Sequence, residues 1–259
     1  PFRQRSTRDA CPRMLKPKIK NIHGGTLDAM GSAIIRGDYV PGEKLPPEQK
    51  LCEELGVSRT ILREVVKSLV AKGLISTGPK IGTLVLPSER WNWFDDQVVG
   101  WQASIGFDPE ILDNLQELRA VIEPEAVRLA AERATEEEID ALERAYHGMA
   151  SAVERGSTED YISHDYDFHL GLLRASHNRM FLQMGHALGS MLREVLLITT
   201  RTPNNGIARS LPAHWRIVET IRARDAEKAC AYSRQQIQAS RTDVTETLLT
   251  TPAHGTDHR

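Results

Sequence analysis

Apolar positions in the first third of the chain fall into three short helical stretches followed by two β-prone runs. Ile22–Ile35 is compatible with a helix despite Gly24, Gly25 and Gly31, and it stops at Gly37 and the turn Val40-Pro41-Gly42-Glu43. Pro46-Pro47-Glu48 opens a second helix with Leu51 and Leu55 on its buried face, because proline suits a first helical turn whose N–H has no partner anyway. Gly56 ends it, and Ser58 is placed to cap a third helix through its hydroxyl. In that helix Ile61, Leu62, Val65, Val66, Leu69 and Val70 recur at helical spacing. Leu74-Ile75-Ser76 and Thr83-Leu84-Val85-Leu86 then flank Gly78-Pro79-Lys80-Ile81-Gly82, the pattern of a small hairpin.

From Pro109 to about Leu249 the periodicity is helical throughout, with breaks at Gly156, Asn178, Pro203–Gly206 and Asp225, which predicts six or seven helices. The expected fold is mainly α: an N-terminal winged helix-turn-helix, which is three helices plus a hairpin, and a C-terminal all-α helical bundle. The expected boundaries are a basic tail over residues 1–20, the winged module over 21–88, a linker over 89–108, the helical domain over 109–250 and a tail over 251–259. No internal repeat interrupts this plan.

Composition narrows the class. At 259 residues the chain is long enough for two ordinary domains, and 40% hydrophobic with 26% charged residues describes a folded soluble protein. No apolar run approaches the ~20 residues of a membrane-spanning helix. The three cysteines, Cys11, Cys52 and Cys230, are far apart and odd in number, which speaks against a disulfide framework or a cysteine zinc site and for a reducing cytoplasm. The first twenty residues lack the continuous apolar core of a signal peptide. A net charge of −2 hides an asymmetry: residues 1–90 hold 16 Lys+Arg against 9 Asp+Glu, and residues 91–259 hold 17 against 26. A basic first third suits a polyanionic partner, although much of the excess lies in the first twenty residues.

The third helix carries the chemistry for that partner. A recognition helix places its first turns against base edges in the major groove. Here those turns read Ser58-Arg59-Thr60-Ile61-Leu62-Arg63, with Arg59 and Arg63 on the side opposite Leu62, Val66 and Leu69. An arginine fork can engage guanine O6 and N7 together, or a phosphate. Ser58 and Thr60 can bond phosphate oxygens, and Lys80 at the hairpin tip is placed for the backbone or the minor groove. Two solvated arginines on an ordinary surface helix are the bland alternative, and the helix, turn and hairpin around them weigh against it.

Leu45-Pro46-Pro47-Glu48, Leu51-Cys52-Glu53-Glu54-Leu55-Gly56-Val57-Ser58-Arg59-Thr60, Leu62-Arg63-Glu64 and Leu69-Val70-Ala71-Lys72-Gly73-Leu74-Ile75 closely resemble the winged helix-turn-helix of GntR-family bacterial transcription regulators. The resemblance spans about Thr26–Leu86. It implies operator contacts by Arg59 and Arg63, by the hydroxyl residues beside them and by the wing. The wing departs from the family pattern, which often has Gly at Lys80 and a basic residue at Ile81.

The second half shows polar groups on apolar faces. Leu115, Leu118, Ile122, Ala126 and Leu129 form a stripe that includes Arg119. A guanidinium turned inward requires an anion, either a nearby glutamate or the carboxylate of a ligand. Ile162, Phe168 and Leu172 define a face that contains Asp165 and His169, one helical turn apart. His214 falls on a face with Ile217, Val218 and Ile221. Asp165, His169 and His214 could form three sides of a divalent-metal site; equally, each could be a hydrogen-bonded core residue.

Leu118-Arg119-Ala120-Val121-Ile122-Glu123-Pro124-Glu125-Ala126, Ala130-Ala131-Glu132-Arg133-Ala134, Asp165 to His169 and His214 to Asp225 resemble the FCD effector domain of the FadR-type subfamily, over about Pro109–Leu249. That resemblance implies a small carboxylate effector held by Arg119, Asp165, His169, His214 and Gln236. It also implies a divalent metal, zinc-like or nickel-like, on Asp165, His169 and His214. Gln236 stands where the family often has a further His, and an amide is a poor ligand for such ions. Two arrangements stay open: a three-ligand site completed by effector or water, or a metal-free polar cluster that binds the effector itself. Trp91-Asn92-Trp93-Phe94-Asp95-Asp96-Gln97-Val98 with Gly100-Trp101 is similar to the linker of galactonate-responsive repressors, which points the effector toward an aldonic acid.

The expected function is a homodimeric, nucleoid-associated repressor of sugar-acid catabolism genes. It binds double-stranded operator DNA, is released by its effector and has no enzymatic activity. Two other readings compete. One is a metal-dependent hydrolase of lactones or acids tethered to DNA, against which no nucleophile elbow or recognisable general base is seen. The other is a constitutive DNA-binding protein with a sealed helical core.

Overall fold

The computed structural model describes residues 22–79, 81–201 and 206–250. The chain divides into two compact units with the boundary between Ile105 and Gly106.

In the first unit α1 (Ile22–Ile35), α2 (Glu48–Leu55) and α3 (Arg59–Ala71) are followed by strands β1 (Ile75–Gly78) and β2 (Gly82–Val85). Gly56 stops α2 in the left-handed region at φ 69°, where a side chain would strain the backbone, and the chain turns within three residues into α3. Ser58 Oγ accepts the backbone N–H of Ile61 at 3.3 Å, so the cap read from the sequence is formed. Leu62, Val65 and Leu69 are the buried face of α3, and they pack with Leu51 and Leu55 of α2 and Met30 and Ile34 of α1. Val66 is half-buried and Val70 exposed, so this face is narrower than the apolar pattern indicates. The strands pair antiparallel, Ile75 opposite Val85, and Lys44 bridges to Leu84 on the far edge of β2.

The segment expected to be a linker is folded. A single 3-10 turn, Ser88–Arg90, leads to α4 (Asp96–Ile105), whose Val98 and Trp101 are buried in the core of the first unit. Trp101 lies flat over Gly31, where an added Cβ would come within 2.4 Å of the ring, and its indole N–H donates to Asp28 Oδ1 at 3.0 Å. The apolar area of this tryptophan, buried against a glycine of α1, makes a packed helix of what composition alone presents as a connection.

The second unit contains α5 (Pro109–Arg133), α6 (Glu136–Arg155), α7 (Thr158–Ala175), α8 (Arg179–Ala187), α9 (Gly189–Thr200), α10 (Gly206–Arg222) and α11 (Ala226–Thr250). Four of these starts have a local cause. Asp108, Ser157 and Asn178 cap α5, α7 and α8, and Thr135 with Glu138 makes a reciprocal capping box on α6. α5 lies along α11 and α7, and α6 packs on α7 and α10. Val127, Ile139, Leu142, Met149, Phe168, Val218 and Ile221 fill the core. The inward groups noted in the sequence sit at one edge of this core, where α5, α7, α10 and α11 meet.

Candidate functional site

The two units hold their polar chemistry in opposite ways. On the first unit Ser58, Arg59, Thr60 and Arg63 are all exposed at the start of α3. Arg63 Nε donates to Glu48 Oε2 at 3.2 Å, a pair with both partners substantially in water and so worth little until a better anion arrives. Lys80 lies outside the described residues.

In the second unit Arg119, Asp165, His169, His214 and Gln236 are all buried and line one cavity of about 120 Å³. That is far more than the roughly 10–15 Å³ a single water needs. The interior is therefore not solid where these side chains meet. α5 supplies Arg119, α7 supplies Asp165 and His169 one turn apart, α10 supplies His214 and α11 supplies Gln236. Tyr161, Ser210, Thr199 and Ser240 add hydroxyls to the lining.

Arg119 has an internal anion. Its Nε donates to Glu123 Oε1 at 2.5 Å and Nη2 to Glu123 Oε2 at 3.4 Å, while Nη1 donates to Gln116 Oε1 at 3.2 Å. Of the two partners open at the sequence level, the nearby glutamate is thus present in the structure, and two of the five guanidinium N–H groups are outside these bonds. Burial opposes ionisation of Glu123, but Arg119 and His169 outweigh it and push the carboxyl down to about 2. Glu123 and Gln116 were not singled out in the sequence. Glu123 could have been, because it stands one helical turn after Arg119 on the same face.

The histidines are oriented from behind. His214 Nδ1 lies 2.8 Å from the Ser210 carbonyl, which can only accept, so Nδ1 carries the proton and Nε2 faces the cluster. His169 Nδ1 lies 2.9 Å from Glu123 Oε2, at ion-pair distance but without hydrogen-bond directionality, and it is the one buried side-chain polar atom without a hydrogen bond among the described residues. Both Nε2 atoms approach Asp165 Oδ1, at 2.9 Å for His214 and 3.4 Å for His169. Burial works against the His169 imidazolium, but Glu123 and Asp165 raise its pKa to about 9. His214 and His169 hold the Asp165 carboxyl below the usual range despite its burial.

Asp165, His169 and His214 offer ligand atoms that all lie within 4.8 Å of one another. A ring nitrogen turned toward a carbonyl or carboxylate, with the other aimed at a common point, is how metal-bound histidines are held. The donor set fits a divalent cation. The Gln236 amide lies in the same cluster, its Nε2 2.6 Å from His214 Nε2, and turned over it would present a carbonyl oxygen, a weak fourth ligand.

Comparison with known proteins follows the same division. Residues 27–85 match the family described as bacterial regulatory proteins, gntR family, and residues 114–239 match the FCD domain. The chain is 34% identical over 200 residues to the galactonate operon transcriptional repressor of Escherichia coli K12, covering 77% of this chain and 86% of that protein. It is 32% identical over 214 residues to the uncharacterized HTH-type transcriptional regulator YieP of the same organism, covering 82% and 91%. The solved structure of the Listeria monocytogenes protein Lar superposes with a TM-score of 0.65 over 88% of this chain and 98% of that one, at 19% identity, a likeness of fold.

Proposed function

The chain belongs to the GntR family of bacterial regulatory proteins and carries an FCD domain, and from that premise we propose that it is a repressor of sugar-acid catabolism genes, released from its operator by a small hydroxylated carboxylate. It is a DNA-binding transcription regulator, and the hydrolase alternative falls with that assignment. Two copies related by a two-fold axis read a pseudo-palindromic operator. Arg59 and Arg63 read bases, Ser58 and Thr60 hold phosphates, and phosphate contacts supply most of the affinity.

The observation that carries the reading is the cavity lined by Arg119, by Asp165, His169 and His214, and by hydroxyl or amide groups of Tyr161, Ser210, Ser240 and Gln236. Groups of this kind are costly to bury and match a ligand with one carboxylate and several hydroxyls. The name of the galactonate operon repressor points to an aldonic acid as the first ligand to try. Asp165, His169 and His214 would hold a divalent cation, with Gln236 beside them. When bound, that cation supplies a positive anchor for a carboxylate. Arg119 offers its remaining N–H donors, and Glu123 and Ser210 fix the histidine rings. The effector must bind the released arrangement more tightly than the DNA-bound one, since equal affinity shifts nothing.

Fluorescence anisotropy on the operator upstream of the gene, with and without D-galactonate, tests the reading. Weaker operator binding in galactonate, and a bound metal near one per chain that is lost in Asp165→Asn, are the expected results. Undiminished operator binding across aldonic acids would overturn the effector assignment.

A further inference from the structure

Contacts that play no part in reading DNA or lining the cavity join the end of α3 to α4 and to the segment before it. Lys72, which closes α3, donates from Nζ to both oxygens of Asp95 at 2.7 Å, and the pair is mostly shielded, with side chains 12% and 25% exposed. The same Asp95 Oδ1 accepts the backbone N–H groups of Gln97 and Val98, at 3.0 and 3.2 Å, and so caps α4. Asn92 N–H donates to the Lys72 carbonyl at 2.8 Å. Gly73, in the left-handed region at φ 76°, admits the Arg90 carbonyl to a spot where a Cβ would lie 2.1 Å from its oxygen. On the other side of α4, Trp101 is fixed to Asp28 and Gly31 of α1.

α4 ends at Ile105 and α5 begins at Pro109, so only Gly106, Phe107 and Asp108 separate the helix clamped to α3 from the helix that carries Arg119 and Glu123. We propose that Asp95 is a positioning residue: by pairing with Lys72 it makes α4 and the recognition helix one rigid piece, and α4 is the path along which the effector domain acts on operator reading. This rests on the effector reading above.

Asp95→Asn isolates the ion pair, because asparagine caps a helix as well as aspartate but cannot pair with Lys72 as an anion. The second variant inserts four Gly-Ser residues between Gly106 and Phe107. The readout is the ratio of operator Kd with and without saturating D-galactonate, alongside the galactonate Kd of the free protein.

Wild type should show a ratio within the usual coupling range of about 5–150-fold. Asp95→Asn should lose most of it and the insertion should bring it close to one, while galactonate affinity stays within about twofold in all three. A structural defect would instead move galactonate affinity or the melting temperature. Either variant with the wild-type ratio overturns the proposal. A wild-type ratio of one would sink the effector reading, and hydrogen exchange then decides the clamp. α4 amides protected like those of α3 in wild type, and exchanging at least about tenfold faster in Asp95→Asn, uphold it. Equal exchange in both proteins refutes it.

Discussion

Arg63 with Glu48 and Arg119 with Glu123 are the same chemical pair in two settings, one on the face of α3 in water and one inside the helical domain. The exposed pair keeps a guanidinium available at little cost, because solvent screens the attraction and a phosphate or guanine can replace the glutamate. The buried pair cannot be idle in that way. A charge out of water needs its partner, and Glu123 serves Arg119 and His169 together. On the proposed reading, a site for a polyanion holds its cations ready in solvent, and a site for a small molecule balances them internally and leaves a few donors for the ligand.

Removing one partner from each pair separates the two settings. Glu123→Ala strands Arg119 and His169 and should cost about 3–5 kcal/mol of unfolding free energy, read by urea denaturation. Glu48→Ala should cost under about 1 kcal/mol. Comparable losses in the two variants would erase the contrast.

Next in size is the effect on DNA. Arg59→Ala and Arg63→Ala should each weaken specific operator binding by about 1–3 kcal/mol at fixed salt, with melting temperatures nearly unchanged. Wild-type operator affinity in the double variant would mean that α3 does not read the operator.

The smallest effect concerns the start of α6. Partial burial raises the Glu138 carboxyl, but the Thr135 backbone N–H and His177 outweigh it and hold the carboxyl below its usual 4.5. A depressed carboxyl contributes stability that is present above 4.5 and lost as pH falls through its lowered value. Glu138→Gln keeps a capping partner without the titration, so its acid limb in thermal melts against pH should be slightly shallower than that of wild type.

Much of this was legible in the chain. Ser58, Gly56 and the apolar residues of α3 act within a few positions of one another, so local chemistry defines the reading helix. The inward placement of Arg119, Asp165, His169 and His214 followed from helical period alone. That four helices bring these residues around one cavity with Gln236 depends on packing between segments up to 117 residues apart, which periodicity does not encode. α4 was missed for the same reason: Trp101 becomes a core residue only because Gly31, 70 positions earlier, leaves room for its ring. Glu123 was within reach of the same reasoning, one helical turn after an inward Arg119, but that it also faces His169 of α7 depends on packing between helices.

The central claim is that the buried polar cluster exists to receive a small hydroxylated carboxylate. Isothermal titration of the metal-replete protein with D-galactonate, beside Arg119→Lys, tests it most directly, because lysine keeps the charge but not the fork that grips a carboxylate. The account predicts saturable binding at one site per chain, weakened at least about tenfold in the variant. No binding by the folded protein, or equal affinity in both, would contradict it.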